Sequence, residues 1–192
     1  MQRFIARNKS ASHSAYTLVE VLLVMMIMVI LTSLAASPLM QSWRDQRTGA
    51  ATEDVRALLA GTRILSLDRD ETWQFLYEPG GTHYLRVPQS APTEESADGT
   101  ANRGKHSDTL PTEITFGESA GNAASTVSSE LLNGLSNASE LSGVPWSAPI
   151  LFYSDGTSSD ASFEIVDAYG NSRFISVRDL TGGVTVRDGA SL

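Results

Sequence analysis

The chain contains no cysteine among its 192 residues. That excludes a disulfide framework and any thiolate metal site, and it leaves redox chemistry silent about compartment. Histidine is almost as scarce: His13, His83 and His106 are scattered, and none has an acid or hydroxyl at a recognisable motif spacing. A complete phosphate-binding loop and the zinc-binding His-Glu-x-x-His are both missing. Catalysis therefore has no visible seat, and the chain is read as a non-enzyme that needs no cofactor and no metal.

Basic residues are also outnumbered, 14 against 22 acidic, for a net charge of −8. The imbalance is uneven. Residues 1–15 hold Arg3, Arg7 and Lys9 with no acid, so the remainder carries 11 basic and 22 acidic side chains, a net −11. A body this acidic repels a phosphate backbone, and bulk charge predicts no nucleic-acid partner. The length suits one domain plus one extra element. The 15 glycines, with long runs of Ser, Thr, Asn and Ala, indicate that much of it is loop.

What the sequence does hold is one long apolar run. From Val21 to Ala36 no residue is charged, and Val-Leu-Leu-Val-Met-Met-Ile-Met-Val-Ile-Leu is apolar on every helical face. With Tyr16–Val19 before it and Ser37–Met40 after it, the stretch reaches the ~20 residues that a bilayer core requires. The basic residues precede it, so the positive-inside bias places the N-terminus in the cytoplasm and the body outside. Two readings fit: a secretory signal peptide cut near Ala35-Ala36-Ser37, or an uncleaved anchor, the latter favoured because the run exceeds the usual h-region of about 7 to 15 residues. Glu20 stands at the mouth of the run. A carboxylate in hydrocarbon costs roughly 2.5 to 3.5 kcal/mol on insertion scales, so Glu20 either has a function there or rests inert at headgroup level.

Ser14-Ala15-Tyr16-Thr17-Leu18-Val19-Glu20, entered from a short basic leader and followed at once by the apolar helix, resembles the processing motif of type IV prepilins and type II secretion pseudopilins. The resemblance implies cleavage by a prepilin peptidase between Ala15 and Tyr16, methylation of the new N-terminal Tyr16, and Glu20 as the fifth mature residue, engaged in subunit assembly. The family usually has Gly where this chain has Ala15, and its frequent helix proline falls one residue later here, at Pro38. An ammonium at Tyr16 and a carboxylate at Glu20 of a neighbouring subunit would neutralise each other where either alone is costly. The partners so implied are the peptidase, other pilin or pseudopilin subunits and the inner membrane, crossed once with the C-terminal domain in the periplasm.

Beyond Pro38 the pattern turns amphipathic. Ala51, Val55, Leu58, Leu59, Thr62 and Leu65 recur at helical steps and define one face, with Arg44, Arg47, Glu53, Asp54, Arg56 and Arg63 elsewhere. One helix is expected over about residues 17–66, with Gly61 marking a close approach of a sheet. Short β-rich runs follow: 73–77, 83–87, 113–116, 150–153, 162–166, 173–177 and 184–186, punctuated by turns at Pro79-Gly80-Gly81, Asp155-Gly156-Thr157 and Tyr169-Gly170-Asn171. Two weakly ordered tracts interrupt them. Residues 88–111 have little to bury, and 117–143 hold one short helix on Val127, Leu131, Leu132 and Leu135.

The expected fold class is α+β: a long N-terminal helix, membrane-spanning in its first half and amphipathic in its second, packed on an antiparallel β-sheet or β-sandwich. The segments are a basic leader, 1–15, the transmembrane half of the helix, 16–40, its amphipathic half, 41–66, and a β-rich extracytoplasmic domain, 67–192, with loops 88–111 and 117–143. Phe152-Tyr153-Ser154-Asp155-Gly156-Thr157, Arg173-Phe174-Ile175-Ser176-Val177 and Thr181-Gly182-Gly183-Val184 resemble the terminal pattern of H-type minor pseudopilins and related minor pilins. That family builds a β-sandwich closed by a hairpin. Asp155, Asp160 and Asp167 match no calcium-loop spacing and are read as solvated turn acids. Asn137-Ala138-Ser139 is a sequon by chance, Trp43 suits a membrane interface, and Trp73 and Trp146 are read as packing residues.

Overall fold

A computed structural model describes residues 17–90, 103–118 and 125–189, and between 34 and 41 it describes the backbone alone. The chain divides into two units, 1–43 and 44–192. Helix α1, Leu18–Arg69, begins in the first and ends in the second, and it continues through Pro38 as the apolar pattern on either side suggests. It runs three residues past the expected end. Asp70 takes a left-handed conformation (φ 51°) and the Glu71 N–H donates to the Ser66 carbonyl at 3.3 Å, a Schellman-type stop with Asp in the place glycine usually fills.

Within the second unit, α1 buries Thr48, Ala51, Thr52, Val55, Leu59, Thr62 and Ser66. These positions follow steps of three, four and one, the spacing of a single face. Leu58 and Leu65, expected on that face, are only half-buried, and four of the seven buried residues carry hydroxyls. Burial is tolerated because each hydroxyl is satisfied on the helix itself: Thr48 donates to Arg44 O, Thr52 to Thr48 O, Thr62 to Leu58 O and Ser66 to Arg63 O, at 2.7 to 3.2 Å. Gly61 lies opposite Arg86 of the sheet, at ordinary contact distance for an added Cβ (3.6 Å).

Among the described residues there are two four-stranded antiparallel sheets. One has the order β3-β2-β1-β5, from His106–Thr109, His83–Pro88, Trp73–Tyr77 and Ile150–Phe152. The other has the order β4-β6-β7-β8, from Ile114–Phe116, Ala161–Asp167, Ser172–Val177 and Val184–Asp188. The α+β class thus holds, with every expected strand present. The main core joins Ala51, Val55 and Leu59 of α1 to Phe75, Tyr77 and Tyr84 of the first sheet and Phe116, Phe163, Ile165, Ile175 and Val177 of the second. Phe163 is its hinge pin: its ring lies 4.7 Å from Tyr77, 6.0 Å from Phe116 and 6.1 Å from Phe75.

Two expectations need correction. The tract 88–111 is not all loop, because His106–Thr109 forms β3 and pairs with β2 from Arg86↔His106 to His83↔Thr109. Its own side chains are mostly exposed, so no buried alternation betrays it; backbone pairing with β2 holds it. The tract 117–143 contains, among its described residues, two short helices rather than one, α2 (Ser129–Leu132) and α3 (Ala138–Leu141). They bury Leu132 and Leu141 with Trp146 against Leu76, Leu85 and Val87, the back of the first sheet. That second core explains why all five residues of β1 are buried. Trp73 and Trp146 are indeed packing residues, each 1% exposed. Asn137 serves the fold, its Oδ1 accepting from the Ser107 hydroxyl at 2.7 Å.

Candidate functional site

Helix α1 opens on Thr17. Its Oγ1 accepts from the Glu20 N–H at 3.3 Å, and its carbonyl accepts from the Glu20 and Val21 N–H groups at 3.0 and 3.3 Å. Thr17 is thus the N-cap and Glu20 the third helical residue, the spacing of a capping box, where a carboxylate also faces the positive end of the helix dipole. This places the Glu20 carboxylate in the first turn of α1, a local position the sequence analysis did not single out. Ala15 and Tyr16, the expected cleavage and methylation residues, lie outside the described residues, as do His13 and the whole basic leader.

From Leu18 to Leu31 the thirteen large apolar side chains other than Glu20 are each 47 to 79% exposed. Among the described residues no helix is long and apolar enough to cross a membrane. The described apolar side chains stop at Ser33, so 18–33 spans about 24 Å of helix, short of a ~30 Å hydrocarbon core.

At the start of the second unit, the Arg44 guanidinium lies over the Tyr169 ring, 3.6 Å from its centroid. Tyr169 sits in the β6–β7 turn, which Asp167 holds rigid: Oδ1 accepts from the Tyr169 and Asn171 N–H groups, both at 2.9 Å, and Oδ2 accepts from Asn171 Nδ2 at 2.8 Å. Burial alone raises the Asp167 carboxyl, but the Asn171 and Tyr169 hydrogen bonds and the Arg44 charge overcome it, and the group sits below its ordinary value. Asp167 is 8% exposed, so it is not the solvated turn acid expected from sequence. Arg44, Arg47, Thr48, Thr112, Glu113, Ile114, Asp167 and Tyr169 line a shallow crevice of about 20 Å³.

A second constellation escaped the sequence reading. The Glu78 carboxylate folds over the Pro79–Thr82 turn, taking His83 Nδ1 at 2.7 Å and the Thr82 and His83 N–H groups at 3.2 and 3.3 Å. A Cβ at Gly81 would overlap that carboxylate, so a side chain there would displace Glu78 from the turn. Burial pushes Glu78 up, while the His83 and Thr82 hydrogen bonds push it down and prevail, leaving it below its ordinary 4.5. A carboxyl whose folded-state pKa is depressed adds stability above its unfolded value, and that stability is lost as pH falls through the folded value. Glu78→Gln is accordingly expected to cost about 1 kcal/mol near neutral pH, the low end for bonds to a charged group at a partly solvated site. Its deficit in urea melts should begin to shrink as pH falls past the unfolded pKa and vanish only below the folded one; a deficit that stays constant throughout that fall would mean the carboxylate charge contributes nothing.

Among the described residues, the remaining candidates from sequence do not gather into a cluster. Asp155 is occupied by the Thr157 N–H and hydroxyl at 2.9 and 2.6 Å. Asp160 and Asp167 flank β6 at opposite ends, about 20 Å apart, and no group of three metal-ligating side chains occurs among the described residues. Gly117-Glu118-Ser119-Ala120-Gly121 has the spacing of a hydrolase nucleophile elbow, a match the sequence reading missed. Ser119 lies outside the described residues, and the preceding strand, β4, belongs to an antiparallel sheet rather than the strand–turn–helix setting the motif requires. Gly99 to Lys105 approaches a phosphate loop but continues into His106 and strand β3, with Lys105 Nζ donating to Asn133 O at 2.7 Å.

Comparison with protein-family models, with curated proteins and with solved structures finds no match to this chain.

Proposed function

We propose that the chain is a minor pseudopilin, a structural subunit of an inner-membrane-based pseudopilus that drives protein export by type II secretion. Its leader is removed by a prepilin peptidase at Ala15–Tyr16, Tyr16 is methylated, and the helix from Tyr16 to about Met40 spans the inner membrane once. Residues 67–192 lie in the periplasm. The chain works by assembly with other pilin-like subunits, not by catalysis.

The observation that carries this reading is the run of thirteen exposed apolar side chains from Leu18 to Leu31. Soluble monomers rarely leave so large an apolar surface in water. Moving half of each such side chain out of water is worth roughly 1 kcal/mol, or on the order of 10 kcal/mol for the run. The cost of immersing Glu20, roughly 2.5 to 3.5 kcal/mol, is outweighed even before it is paired. The sequence stays uncharged through Ala36 and apolar or small to Met40, which brings the stretch to membrane length.

Deleting the gene separates the machines that use this kind of N-terminus. The expected result is accumulation of exported proteins in the periplasm, with pili, twitching and DNA uptake intact. Normal export with lost pili would instead make the chain a minor pilin of a type IV pilus. Normal performance in every assay would favour a signal-anchored domain that does not polymerise.

A further inference from the structure

We infer that the β6–β7 turn, with Arg44 and Arg47 of α1, is a lipid-contacting foot: Tyr169 enters the headgroup layer of the outer leaflet while the two guanidiniums donate to phospholipid phosphates. The inference rests on the membrane reading of the apolar helix and adds a second contact between chain and bilayer, made by the folded domain.

Tyr169 is 53% exposed at the tip of a turn, yet nothing about the turn is loose. Asp167 fixes it with three hydrogen bonds, and the Ala168 N–H is held at 2.8 Å by the carbonyl of Glu113, a non-glycine residue at φ 75°. Backbone strain of this kind costs of order 1 to 3 kcal/mol and persists where surrounding structure imposes it. A rigid turn presenting a half-exposed aromatic that adds nothing to the core suits a contact surface. Tyr, with an apolar ring and a polar tip, is a residue enriched at membrane–water interfaces.

The arginines supply the second half. Arg44 uses the face of its guanidinium on the Tyr169 ring, which leaves the in-plane N–H edge available, and no described hydrogen bond or ion pair occupies the Arg44 or Arg47 guanidinium. The neighbouring acids are Asp45, exposed, and Glu113; Asp167 is spent on its own turn. Planar guanidinium edges match phosphate oxygens two at a time. The chain itself sets the location. Arg44 is four residues on from Met40, so the two stay within about 14 Å however the units are arranged.

The absence of cysteine makes the test clean. Single-cysteine variants Ile27→Cys, Ala168→Cys and Leu180→Cys of the full chain are spin-labelled in nanodiscs of phosphatidylethanolamine and phosphatidylglycerol. Access of each label to oxygen and to a water-soluble nickel chelate is then compared. Leu180 is the aqueous reference: it is 81% exposed and adjoins Gly182, which packs on Arg63, about 28 Å along the helix from Arg44. The expected result is an Ile27 label in hydrocarbon and an Ala168 label with a several-fold loss of chelate access relative to Leu180. Arg47→Gln and Tyr169→Ser, which leave the Asp167 bonds in place, should restore that access. An Ile27 label in hydrocarbon with Ala168 as wet as Leu180 overturns the foot and spares the anchor. An Ile27 label in water overturns both. An Ala168 label shielded from chelate and oxygen alike, increasingly so at high protein-to-lipid ratio, marks a protein contact and also overturns the foot.

Discussion

Glu20→Ala is expected to yield a cleaved, folded, membrane-held monomer that no longer crosslinks to partner subunits. The magnitude separates the two roles open to this carboxylate. If Glu20 serves only the first turn of α1, beside the Thr17 cap, its loss costs about 0.3 to 1 kcal/mol, and Thr17→Ala, at ~1 kcal/mol, should do equal damage. If Glu20 pairs with the Tyr16 ammonium of a neighbour, its removal strands a charge in an apolar bundle and costs about 3 to 5 kcal/mol, a loss of 100-fold or more in association. Thr17→Ala then assembles nearly normally while Glu20→Ala does not. Equal crosslinking by both variants would reduce Glu20 to a helix-terminal acid.

The largest effect on the body is expected at Phe163. Truncation to alanine removes the ring that stacks between Tyr77 and Phe75 and meets Phe116, and so separates the two sheets at their point of closest aromatic contact. Loss of a buried Phe costs about 3 to 5 kcal/mol, against a typical domain stability of 5 to 15 kcal/mol. Urea unfolding followed at the buried Trp73 and Trp146 should show a midpoint shift of that size, with insertion of the N-terminal helix unchanged. A shift under 1 kcal/mol would mean that the sheets are held together chiefly elsewhere, by Ile165, Ile175 and Val177 against Val55 and Leu59.

Most of this fold was legible because its strands alternate or run continuously apolar between strong turn signals. Trp73–Tyr77, Ala161–Asp167 and Ser172–Val177 are of that kind. What stayed hidden shares one physical cause: side chains whose environment is set by distant residues. His106–Thr109 has no buried face to display, and it becomes a strand only because β2 offers an open edge. Thr48, Thr52 and Ser66 look polar, yet they are buried with hydroxyls turned onto their own helix. Leu141 stands alone among the small and polar residues of Ala138–Leu141, too sparse for a periodicity to stand out, although Leu132 and Trp146, which it joins in the second core, were both legible.

The candidate sites divide the same way. Thr17 and Glu20 are three residues apart on one helical turn, so their hydrogen bond is purely local. Glu78 and His83 are close in sequence but meet only because a hairpin turn reverses the chain between them. Arg44 and Tyr169 are 125 residues apart, and no local pattern foretells a stack that depends on the β6–β7 turn reaching α1.

The mass and N-terminal sequence of the protein extracted from the inner membrane distinguish a prepilin leader with an assembly helix from any other use of this N-terminus. A chain beginning at N-methylated Tyr16 is the predicted result. Retention of Met1 would make the apolar run a plain anchor, and a start near Pro38 would make it a cleaved signal peptide; in either case the chain is no pseudopilin.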